Sequence, residues 1–130
     1  MHRSSWWIGA AAAINVVSAA IAEPFDWLRA PEQRTAASHV AAAYAHTSIC
    51  STTVDRDVAM RMIRDRIAGG GALEPEMAAD LMQLVIAIQA SQVKVRKLDE
   101  MSSKQLTSYC AEILGAYGPG GTVMPGILAP

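Results

Sequence analysis

Cys50 and Cys110 are the only cysteines in a chain of 130 residues, and whether they pair decides which segments must lie side by side. A bond between them closes a loop of roughly sixty residues and stabilises the fold by about 4 kcal/mol on a chain-entropy estimate. Pairing needs an oxidising compartment, so the question passes to the amino terminus.

Residues 1–22 read as an export leader. Arg3 stands in front without an acid, Trp6 to Ala22 is apolar apart from Asn15 and Ser18, and Ala20-Ile21-Ala22 presents a small-x-small cleavage pattern. Glu23-Pro24 then breaks the run. A retained anchor calls for about 20 apolar residues, and a buried helix would need neither Arg3 nor the alanine motif. Cleavage near Ala22-Glu23 is therefore expected, with the product in the periplasm or secreted. Residues 23–130 are expected to form a single domain with the Cys50–Cys110 disulfide.

Helices dominate the expectation. Val and Ile are scattered among Ala, Met, Gln and Arg, with no strand-forming stretch. Pro31 opens a helix to about Ser48, with an apolar stripe at Ala37, Val40, Ala41 and Tyr44. Thr52 with Asp55 resembles a capping box for a second helix over about 53–68, ended by Gly69-Gly70-Gly71. A third begins at Pro75, acidic at its start and basic at its end, with a stripe from Met77 through Leu81, Leu84, Ile88, Ser91 and Val95 to Leu98. Ser102 and Gln105 cap a fourth, which carries Leu106, Tyr109, Cys110, Ile113, Leu114 and Tyr117 on one face. The predicted fold is all-α, a small four-helix bundle with one disulfide. An apolar tail, about 118–130, either folds back over the core or offers itself to a partner.

Charge excludes some functions. Without Arg3 the chain has ten basic against twelve acidic residues, which provides no footprint for nucleic acid. Arg56, Arg61, Arg64 and Arg66 are interleaved with Asp55, Asp57 and Asp65, a mixed solvated surface rather than a lipid-binding patch. Neither glycine cluster follows a strand or carries a P-loop lysine, and no serine sits in a nucleophile elbow. His39 and His46, seven apart, are weak metal candidates on a helix rim; no further ligands accompany them. Met60, Met62, Met77, Met82, Met101 and Met124 are spread out, which suits core filling better than a Cu(I) site.

The function expected is that of a non-catalytic exported protein-interaction module, without cofactor, its mature domain not membrane-spanning. Phe25, Trp27, Ile127 and Leu128, outside the regular helices, are its candidate partner-binding residues. Alternatives are a periplasmic stress chaperone or inhibitor-like protein, and a small copper- or zinc-binding protein. The layout resembles that of small periplasmic helical proteins with one disulfide, such as acid-stress chaperones, in size, leader and cysteine count alone.

Overall fold

A computed structural model describes residues 27, 28 and 30–130. The expected leader over 1–22, its expected cleavage site and Phe25 lie outside the described residues. Within them the chain is mostly helical, with four helices. α1 spans Pro31–Cys50 and α2 spans Arg56–Met62, continuing as a π turn over Ile63–Ile67; α3 spans Pro75–Arg96 and α4 spans Ser103–Tyr117.

α1 is the hub: α3, the π turn and α4 all pack against it. Its burial is correspondingly wider than the single stripe expected, taking in Ala36, Ala37, Ser38, Val40, Ala41, Ala43, Ala45 and His46. Alanine suits that position, because a side chain of one carbon lets neighbouring helices approach from several sides without leaving polar groups to satisfy. Pro31 does occupy the first turn, where its missing N–H removes no helical bond. The segment before it is anchored: Leu28 is fully buried and its carbonyl accepts from Arg34 Nε at 2.7 Å.

Two expectations fail between α1 and α2. Thr53–Val54 is a short strand, β1, so the second helix starts later than 53. Its cap is Asp55, whose carboxylate accepts from the N–H groups of Asp57 and Val58, rather than Thr52. The helix then widens into the π turn, closed by Ala68 N–H donating to Ile63 O at 2.7 Å. Ile63 and Ile67, four apart and so on one face, are both buried.

α3 buries Leu81, Leu84 and Ile88 as expected, but Val95 is half exposed. Gln89 Nε2 donates to Ser48 Oγ near the carboxyl end of α1, and beyond it Gln92 and Arg96 meet Tyr109 and Glu112 of α4. Ser102 and Gln105 form their capping box, as expected.

The tail settles as core. After α4 the backbone turns on Gly118–Gly121, and the N–H groups of Val123 and Met124 both donate to Ala116 O. Leu128–Ala129 forms β2, antiparallel to β1, with Val54 opposite Leu128 and Thr53 opposite Ala129. Asp55 N–H donates to Ile127 O at 2.8 Å, so the residue that caps α2 also holds the tail. Met124, Ile127 and Leu128 are almost completely buried, beside Leu28, Val40, Ile67 and Leu84.

Candidate functional site

The chemistry-bearing side chains meet along the seam between α1 and α4. Cys50 and Cys110 form the disulfide with their Cα atoms 5.5 Å apart. One turn back on α1, His46 faces Tyr109, the neighbour of Cys110; two turns further, His39 faces Tyr117. The two helices run antiparallel, so a register fixed by the cysteines brings each histidine to a tyrosine.

His46 is 3% exposed, and its protonation follows from its neighbours. Nδ1 lies 2.7 Å from Ala42 O; a carbonyl only accepts, so Nδ1 carries the hydrogen. In the neutral ring Nε2 is then an acceptor, and the Tyr109 hydroxyl donates to it at 2.6 Å. Burial pulls the His46 pKa below its ordinary value, partly offset by the bond to Ala42. Burial pushes the Tyr109 phenol up to about 12, which keeps it a donor. Gln92 Oε1 stands 3.4 Å from the same hydroxyl, and Arg96 lies over the Tyr109 ring at 5.3 Å while pairing with Glu112 at 3.7 Å.

His39 is half-buried, with Nδ1 2.8 Å from the Tyr117 hydroxyl. Burial lowers its pKa and raises that of Tyr117. It also lines an open groove with Glu32, Asp65, Arg66 and Met124.

His46 is therefore not a rim residue, as the sequence suggested, but closes a buried pair with Tyr109; His39 pairs with Tyr117 while remaining at the edge of the groove. Among the described residues no group of three or more His, Cys, Asp or Glu is disposed to hold a metal ion. No helix among them is long and apolar enough to cross a membrane.

The proposed partner-binding residues come out differently. Ile127 and Leu128 are core residues at 0% and 1% exposure, so they present no surface to a partner. Trp27 is half-buried against the core, and its Nε1–H donates to Asp80 on α3 at 2.7 Å. Among the described residues, the large apolar side chains left exposed are Met60, Met82, Ile86 and Val95. Met82 and Ile86 are one turn apart on α3, in line with the exposed Ala79 and Ala90 and the half-buried Val93. The stripe from Met77 to Leu98 marks only the inward row; Ala79, Met82, Ile86, Ala90 and Val93 form a second apolar row on the opposite side of the helix.

No family model matches this chain, and no curated protein or solved structure matches it.

Proposed function

We propose that this chain is the precursor of an exported, disulfide-closed helical protein that acts by protein contact rather than by catalysis. Residues 1–22 are its cleaved leader, and the mature domain works in the periplasm or after secretion. The observation that carries the reading is a division of labour among side chains. The histidines and tyrosines satisfy one another inside the α1–α4 seam, while a row of apolar residues on the long helix α3 is left facing water. A disulfide that links the hub helix to the last helix suits an oxidising compartment.

Native mass spectrometry of the exported fraction, with the protein expressed behind its own leader, tests this. The expected covalent species begins at Glu23 and is two hydrogens short of the reduced chain, with protein-sized added mass under native conditions. A full-length, reduced species recovered with membranes contradicts export; a mature species that never carries added protein mass contradicts the contact role.

A second reading, an acid-responsive chaperone, is favoured by the burial of His46. Protonating that ring gives Nε2 a hydrogen and forces the Tyr109 hydroxyl to accept from it and turn toward Gln92. Tyr109 faces His46, with Arg96 over the Tyr109 ring and paired with Glu112; Tyr117 faces His39, and Glu32, Asp65 and Arg66 line the same groove as His39. Acid would then loosen the seam while the disulfide keeps its helices tethered. Dye binding that rises as pH falls below about 6, and is absent in His46→Gln, is the expected signature; no rise disposes of the reading.

A further inference from the structure

We propose that the outward row on α3 pairs antiparallel with the same row of a second copy of this chain, about a two-fold axis at Ile86. The proposal rests on the contact reading above and names its partner.

The spacing of the row is the first argument. Ala79, Met82, Ile86, Ala90 and Val93 are separated by steps of three, four, four and three, so the row reads the same in both directions from Ile86. Turned end for end, Met82 lies opposite Ala90 of the second copy, Ala79 opposite Val93, and Ile86 opposite Ile86. Away from the axis each large side chain meets a small one, which is how one helix's ridges enter another's grooves. A shallow groove at the carboxyl end of α3, lined by Ile86, Ala90, Val93 and Lys94, lies where Met82 of the second copy would enter. The same patch serves both copies, as a closed two-fold interface requires.

Charge is the second argument and sets the direction. α3 has Glu76 in its first turn and Lys94 in its last. Both are exposed, and they lie eighteen residues apart, or five turns, so they flank the row on the same side. Antiparallel pairing puts the acidic end of one helix beside the basic end of the other and opposes the two helix dipoles; parallel pairing would set like charges together.

Cysteine cross-linking of the full mature protein, with Cys50–Cys110 intact, tests the register. On the axis, Ile86→Cys should give a covalent dimer under mild oxidation much faster than Lys104→Cys, an exposed position on α4. Met82→Cys should do so only when combined with Ala90→Cys. In sedimentation the mass should climb toward the dimer with concentration. Ile86→Glu should remain monomeric with unchanged helicity, and Glu76→Lys combined with Lys94→Glu should recover the association that each loses alone. A monomer at every concentration, or Ile86→Cys linking no faster than Lys104→Cys, overturns the pairing. If that monomer sediments with anionic vesicles, the row belongs to a lipid surface and the contact reading falls too. If position 86 cross-links instead to a different protein, the pairing falls and the contact reading stands.

Discussion

His46 has both ring nitrogens engaged, Nδ1–H with Ala42 O and Nε2 with the Tyr109 hydroxyl. Tyr109→Phe leaves Nε2 buried without a donor, which costs about 1–3 kcal/mol; urea unfolding of the variant at neutral pH measures it. The pH dependence has a definite sign. His39 and His46 titrate below their ordinary value of 6.5 in the folded chain because burial disfavours the charged ring. Below that value the unfolded chain takes up protons that the folded chain does not. Their contribution is therefore fully present above about pH 6.5 and is lost as pH falls from there through the lowered folded pKa values. The urea midpoint should drop on going from about pH 7 to about pH 5, and by less in His46→Gln; a midpoint that rises or stays level contradicts neutral, buried rings.

Among the elements, the tail behaves as part of the core. Met124, Ile127 and Leu128 are each about 1% exposed or less, and truncating one such side chain costs about 2–5 kcal/mol. Ile127→Ala should therefore lower stability by that much in urea titration. Deleting residues 122–130 should unfold the domain, seen as loss of helical circular dichroism, since total stabilities are only about 5–15 kcal/mol. The turn into the tail requires glycine for steric reasons: a Cβ on Gly121 would lie 2.5 Å from Ala116 O and 2.9 Å from Gly118 O. Gly121→Ala should lower the melting temperature, at a cost above about 2 kcal/mol. Helices α3 and α4 were legible because Pro75 and the Ser102–Gln105 box mark their starts and regular stripes fill them. The β1–β2 pair was not, because two-residue strands carry no alternation to read and owe their existence to where the tail lands. The π turn was hidden for a related reason: residues 63–67 carry no breaker that would set them apart from an ordinary helix.

For the whole molecule, the cysteine pair sets the register of the seam. Reduction of Cys50–Cys110 should cost about 4 kcal/mol and shift the unfolding midpoint without changing native helicity; equal midpoints for both forms would deny the disulfide a structural role. The candidate site was legible only in part. Tyr109 and Tyr117 on the apolar face of α4 each needed a polar partner, and an antiparallel α1 fixed by Cys50–Cys110 offers His46 and His39. The histidines lie on the side of α1 away from its obvious stripe, so without knowing that α1 is surrounded they read as exposed. Ile127 and Leu128 read as a free apolar end because their burial depends on contacts far away in sequence. Among the described residues, the exposed row on α3 is the surface on which the proposed contact role rests. A photo-reactive residue at position 86, in cells expressing the chain with residues 1–22 in place, tests that most directly. Protein adducts are expected from position 86 in the disulfide-bonded exported fraction, and none from position 104. No adduct from position 86 in that fraction, or equal adducts from both positions, would contradict it.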